Sequence, residues 1–277
     1  MTRLAYLGPP GTFSEEAALR YKPGARLVPC PTEKAAVAAV EAGDADEAVL
    51  PIENTLEGSV TRTVDILVHD ARLMICGELV LPIELCLIVK PGAKADGVKA
   101  IYSKPEALSQ VRYYIERRFP NARQDASLST AAAVEEMLQV ADAAAVGPAR
   151  AAELYHAEIL ERGIQDHTHN QTRFVAVARA DHAPTGSDKT SIAFAVAHDK
   201  PGSLVDVLHE FSDRAINLTK IESRPSREEL GIYIFLIDLE GHRSEPAVAE
   251  ALAAVEAKSL FFRLLGSYPR GDHARDP

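Results

Sequence analysis

The chain has 277 residues, 47% hydrophobic and 25% charged, which excludes a largely disordered polymer and leaves room for two domains. Thirty basic against 40 acidic residues give a net charge of −10 with no basic run, a poor basis for binding nucleic acid or an anionic membrane surface. No apolar run approaches the roughly 18 residues a membrane span needs, and residues 1–8 are too short an apolar run for a signal peptide, so a cytoplasmic protein is expected.

Strands are predicted over 3–7, 26–28, 47–52, 73–80, 84–89, 99–102, 143–146 and 172–178. Helices are predicted between them over 14–21, 32–41 with a stop at Gly43, 58–69, 105–118, from Ser129, and 149–155. This alternation implies βαβ units and a mostly parallel sheet. Some 180 residues is large for one such layer, so two lobes with a cleft between them are expected. Cys30, Cys76 and Cys86 are odd in number and widely spaced, which suits neither a disulfide framework nor a zinc site; they read as buried or semi-buried thiols.

Residues 181–188 combine Pro, Gly and small polar residues without periodicity, and read as a linker. Beyond them the pattern is strand 190–197, helix 202–214, strands 218–223 and 231–239, helix 246–256 and strand 260–268. Leu204, Val207, Leu208 and Phe211 form one apolar helix face. The order β-α-β-β-α-β is the ferredoxin-like arrangement, and 270–277 reads as a frayed tail.

One local device recurs in the first 180 residues: a strand ends, hydroxyl residues follow, and a helix begins. It occurs at Gly8-Pro-Pro-Gly-Thr-Phe-Ser14, Pro51-Ile-Glu-Asn-Thr-Leu-Glu-Gly-Ser59, Tyr102-Ser-Lys-Pro105 and Ser127-Leu-Ser-Thr130. Each is a helix cap by composition; together, at the carboxyl ends of strands, they suit a carboxylate or phosphate. Gly8-x-x-Gly11 lacks the spacing of a dinucleotide fingerprint and the Gly-Lys-Ser/Thr of a P-loop. His167-Thr-His169 has no third ligand at metal-binding spacing. Asn170-Gln-Thr-Arg-Phe174 places an amide pair, a hydroxyl and a guanidinium at the start of a strand. Arg173 suits either a carboxylate ligand or an ordinary ion pair, and Phe174 either an apolar wall or the core.

Taken together these segments resemble the prephenate dehydratase family. The match rests on Gly8-Pro-Pro-Gly-Thr-Phe-Ser14, Pro51-Ile-Glu-Asn-Thr55 with Gly58-Ser-Val60, Ser103-x-Pro105-x-Ala107-Leu108-x-Gln110, Ser129-Thr-Ala131 and Asn170-x-Thr-Arg-Phe174. Pro201-Gly-Ser-Leu204 and Glu222-Ser-Arg-Pro225 resemble the phenylalanine-sensing motifs of an ACT domain. Two departures stand out: Ser103-Lys-Pro-Glu106 where the family has Ser-His-Pro-Gln, and Ser203 where an alanine is common.

The resemblance implies an α/β fold: a two-lobed catalytic domain over 1–180, similar to periplasmic binding proteins, then a ferredoxin-like ACT domain over 189–269. Lobe one would comprise 1–78 and 162–180, and lobe two 79–161. The implied reaction removes water and CO2 from prephenate to give phenylpyruvate, without metal or organic cofactor. Thr172 would donate to the leaving hydroxyl, with Asn54, Ser103, Gln110 and Glu53 as further catalytic residues. Thr12, Phe13, Ser14, Thr55, Ser59, Thr130, Arg173 and Phe174 would bind substrate. Gly202, Ser203, Leu204, Asn217, Leu218, Glu222, Ser223 and Arg224 would bind L-phenylalanine where two ACT domains pair, giving a homodimer that can extend to a homotetramer. Two rivals remain open on these residues: an arogenate dehydratase, and a non-catalytic sensor of aromatic acids.

Overall fold

Residues 1–196, 201–226 and 232–271 are described by a computed structural model. The chain opens with β1 (Arg3–Leu7), α1 (Phe13–Tyr21), β2 (Arg26–Cys30), α2 (Glu33–Ala42) and β3 (Glu47–Asn54). There follow β4 (Gly58–Ser59), α3 (Thr61–Asp65), a π-helical turn (Ile66–Asp70) and β5 (Met74–Pro82). A second run holds β6 (Cys86–Val89), β7 (Ala100–Ser103), α4 (Pro105–Gln110), α5 (Arg112–Arg118), β8 (Arg123–Ala126), α6 (Thr130–Met137), β9 (Ala143–Gly147), α7 (Ala149–Leu154) and β10 (Glu158–Glu161). The last runs from β11 (Gln171–Ala178) through β12 (Asp188–Ala195), α8 (Ser203–Ser212), β13 (Leu218–Pro225), β14 (Tyr233–Glu240) and α9 (Pro246–Lys258) to β15 (Phe261–Pro269).

These strands form three sheets. The first has the order β2-β1-β3-β11-β5, with β4 paired to β3. The second is β10-β6-β9-β7-β8, and the third β13-β14-β12-β15. The chain leaves the first sheet after β5, builds the second, and returns as β11 between β3 and β5. That return inserts β11 antiparallel to both neighbours. The expected mostly parallel sheet is therefore corrected: β1 lies parallel to β2 and β3, but β11, β6 and β10 make antiparallel pairs.

Local chemistry explains most boundaries. Thr12, Thr32 and Ser129 cap α1, α2 and α6 by accepting backbone N–H bonds, and Gly43 closes α2 in the left-handed conformation. The expected helix over 58–69 is instead β4, α3 and the π turn. Gly58 has a φ of +80° and Ser59 pairs with Glu53, so the chain makes a hairpin before any helix starts. The expected helix over 105–118 breaks at Val111, and the Asp166 carboxylate caps the new start by accepting from the N–H groups of Tyr113 and Tyr114. β8 and β10 were not expected, because these short edge strands are largely exposed and carry no apolar alternation. Ala197 and Gly231, ends of two expected strands, lie outside the described residues, as does the expected tail from residue 272 on.

Two buried cores cross between sheets. One joins Leu4, Tyr6, Val49 and Phe174 of the first sheet to Leu87, Ile101 and Val146 of the second. The other joins Ile75, Val175 and Val177 of the first sheet to Ala193, Leu236, Leu265 and Tyr268 of the third. The third sheet thus packs one face on α8 and α9 and the other on the first sheet.

Candidate active site

Antiparallel pairing sets Thr172 opposite Asn54 and Arg173 opposite Glu53. Successive side chains of a strand point to opposite faces, so the two pairs emerge on opposite sides. On Thr172's side lies a polar network. The Asn54 side-chain amide donates to Thr172 Oγ1 (2.9 Å), Asn170 Oδ1 (2.9 Å) and the Gln171 carbonyl (3.1 Å). Its carbonyl oxygen accepts from the N–H groups of Leu56 and Glu57, which fixes the orientation of the amide. Asn170 donates in turn to Gln110 Oε1 (2.8 Å), tying the first sheet to α4 of the second. Gln110 also reaches Glu57 at 3.3 Å. Thr172 is 9% exposed and, among the described residues, no acceptor takes its proton.

Asn170 is the member of this network that the motif analysis left unassigned. It is 2% exposed and bridges residues more than 50 positions apart in sequence. Its only sequence signal was its place at the head of Asn170-x-Thr-Arg-Phe174.

The remaining hydroxyl residues lie at helix starts beside the first and second sheets. Thr12 caps α1, Ser14 is buried in its first turn, and Phe13 is half-buried against the core shared by the first two sheets. Thr130 is buried at the start of α6. A side chain at Gly11 would meet Leu154 and Ala131 at 3.2 and 3.4 Å, so the loop before α1 presses on α6 and α7. The buried Glu15 carboxylate accepts from the Gly11 N–H at 2.8 Å and from Arg150 Nε at 3.0 Å, an ion pair between α1 and α7.

Several expected ligands lie elsewhere. Arg173 points away from Thr172 and is held by Glu78 (2.7 Å), Asp238 (2.5 Å), Tyr268 Oη (2.8 Å) and Glu53 (3.6 Å). Burial opposes its charge, but Tyr268, Asp238 and Glu78 outweigh burial and push its pKa up. Those acceptors leave no fork for a substrate carboxylate. Glu53 faces the same way and pairs with Lys220 at 3.2 Å. Phe174 is 2% exposed inside the core. Ser103 is fully buried and spends its proton on the Val146 carbonyl at 2.6 Å, fastening the ends of β7 and β9. Thr55 donates to the His169 carbonyl and accepts from the Gln171 N–H, a staple between two loops.

Ser59 contacts Glu222 and accepts from Lys220 at 2.9 Å, so it faces the third sheet. Glu222 meets Ser59 of β4, and Arg224 pairs with Asp65 of α3 at 3.0 Å, so both are engaged by the segment 59–65. Ser223, between them, is exposed on the alternate face. Gly202 and Ser203 begin α8 and Leu204 packs beneath it, while Asn217 is exposed ahead of β13 and Leu218 joins the core under α8 and α9.

Residues 4–182 match the prephenate dehydratase family and residues 190–257 match the ACT domain. A bifunctional chorismate mutase/prephenate dehydratase of Aquifex aeolicus is 43% identical over 269 residues, spanning 97% of this chain and 74% of that one. The crystal structure of an Arthrobacter aurescens prephenate dehydratase in complex with L-Phe superposes with a TM-score of 0.90 at 36% identity, covering 99% and 92% of the two chains. A second solved structure, described as a novel type of quorum-quenching acylase, has a TM-score of 0.88 at 32% identity, covering 99% and 100%.

Proposed function

The chain belongs to the prephenate dehydratase family, and from that premise we propose that its Thr172–Asn54–Asn170–Gln110 network is where the ring hydroxyl of prephenate departs. One observation carries this reading. Thr172 Oγ1 accepts from Asn54 while no described residue accepts its own proton, which leaves that proton for a ligand. In the reaction the bond to the ring carboxylate breaks, its electron pair enters the ring, and the C–O bond opposite yields hydroxide as CO2 leaves. Aromatisation drives the step. A threonine is a weak acid, so Thr172 acts by hydrogen-bonding the developing hydroxide rather than by full proton transfer, and water forms with a solvent proton. Thr12, Ser14, Thr130 and the N–H groups opening α1 and α6 hold the substrate carboxylates, a task Arg173 is too committed to perform.

We read residues 1–180 as the catalytic domain, with lobes at 1–78 plus 162–180 and at 79–161, then a linker over 181–188 and the ACT domain over 189–269. L-phenylalanine is the effector, held by Gly202, Ser203, Leu204, Asn217, Leu218 and Ser223 where two ACT domains pair. The 50% exposure of Ile221 on edge strand β13 and the 53% exposure of Val205 on α8 support such a homodimer. The thiols give no support to acyl transfer through a cysteine nucleophile. Burial raises the Cys30 thiol and pushes Cys76 and Cys86 up to about 11, so none of the three is an activated nucleophile.

The test is turnover of prephenate to phenylpyruvate by purified protein, with and without L-phenylalanine. Turnover suppressed by phenylalanine is expected. Turnover of arogenate alone, or binding without turnover, would overturn the reading.

A further inference from the structure

Strands β3 and β11 have two working faces. Thr172 and Asn54 occupy the cleft face; the next residue of β11, Arg173, and the one before on β3, Glu53, occupy the face covered by the third sheet. The Arg173 side chain is 11% exposed, and its anchors come from β5 (Glu78), β14 (Asp238) and β15 (Tyr268). Asp238 is the hub of the third sheet's contribution. It also accepts from Ser191 Oγ at 2.5 Å, and Ser191 lies 2.6 Å from Tyr268 Oη. In register, Asp238 pairs with Ser191 of β12 on one side and with Lys220 of β13 on the other. It therefore sits beside the strand that carries Glu222-Ser-Arg224.

The ladder between β3 and β11 is irregular just past this point: Arg173 pairs with Glu53, but Phe174 pairs with Pro51. A bulge loosens the constraint that regular pairing would place on the adjoining residues. The ladder from β11 to β5 stays in register from Gln171 to Ala176, so the irregularity lies on the β3 side, where the side-chain anchors of Arg173 tie β11 to the third sheet.

We propose that Asp238 is a positioning residue for the dehydration step, acting through Arg173 to hold the segment of β11 that presents Thr172 to the cleft. The third sheet then sets the alignment of the hydroxyl, and a shift of β13 against β14 reaches Thr172 through one ion pair. This rests on the reading of Thr172 as the hydrogen-bond donor.

The test is Asp238→Asn in the full chain, which keeps the shape and removes the charge. The expected result is a kcat for prephenate lowered by about tenfold to a hundredfold, with KM within about twofold, since a small misplacement of a reacting group is costly. Faster hydrogen–deuterium exchange is expected in the peptide spanning 171–176, and thermal unfolding should stay a single cooperative transition. Wild-type kcat together with wild-type exchange would overturn the proposal, even if Tm fell. Should Asp238→Asn fail to fold, Tyr268→Phe leaves both carboxylate anchors of Arg173 in place and removes the hydroxyl that Arg173 and Ser191 share. It should move kcat and exchange in the same direction by less, and wild-type values of both would overturn the proposal. Exchange needs no turnover, so a wild-type chain inactive on prephenate would sink the reading of function while still reporting whether Asp238 orders β11.

Discussion

A departing hydroxide needs a hydrogen bond that strengthens as charge develops, and in the proposed reaction that donor is Thr172. Asn54 fixes the hydroxyl by donating to it, and the backbone N–H groups of Leu56 and Glu57 fix Asn54. Thr172→Ala should lower kcat by roughly 10² to 10³ with KM nearly unchanged, because one donor aimed at developing charge is lost. Thr172→Ser keeps the hydroxyl and should recover much of the rate in steady-state kinetics; equal kcat in the alanine variant and the wild type would remove Thr172 from the mechanism. Asn170 and Arg173 show where reading residues from sequence stops. An amide and a guanidinium in one motif both suggested polar chemistry, yet Asn170 joins the cleft network while Arg173 is consumed by carboxylates from distant strands.

Among the elements, β15 fixes how closely the third sheet approaches the first. Gly266 has a φ of +141°, and a Cβ there would come within 2.2 Å of the Ile75 carbonyl oxygen on β5. That clash is with backbone and has no flexible side chain to absorb it. Gly266→Ala should cost about 3 kcal/mol from overpacking and strain, read as a clear drop in Tm, and weaken phenylalanine control by parting the two sheets. An unchanged Tm would mean that β15 slides along β5 at little cost. The hydroxyl caps of α1, α2 and α6 were legible beforehand because a cap is a local hydrogen bond. The break of 105–118 at Val111 was not, because what stabilises the second helix start is Asp166, which arrives from a segment about fifty residues away.

Over the whole molecule, a buried charge and two thiols, Cys86 buried and Cys76 partly so, bracket the pH range of stability. Burial opposes ionisation of Asp238, but Arg173 and Ser191 outweigh it and hold its pKa below the ordinary carboxylate value of 3.8. A depressed carboxylate contributes stability above its unfolded value, lost as pH falls through the folded one. Cys76 and Cys86 are displaced the other way, from 9.0 up to about 11, chiefly by burial. Their contribution is present below pH 9 and lost as pH rises toward 11. Tm should therefore decline below about pH 4 and again between about pH 9 and 11. A flat profile on either side would discard the corresponding group.

The sequence by itself determined the α/β character of the chain, the helix caps, the hydroxyl-bearing strand ends and the segments that carry Asn54 and Thr172. These depend on local backbone chemistry and on the period of apolar residues, which neighbouring positions express. Tertiary structure alone decided which face each strand residue serves. Alternation says that Thr172 and Arg173 diverge, and that Glu222 and Ser223 diverge, but not which member of each pair meets the cleft, the third sheet or solvent. That choice is made by the return of β11 between β3 and β5, and by the third sheet packing on the first, where contacts between residues far apart in sequence repay the burial of charge.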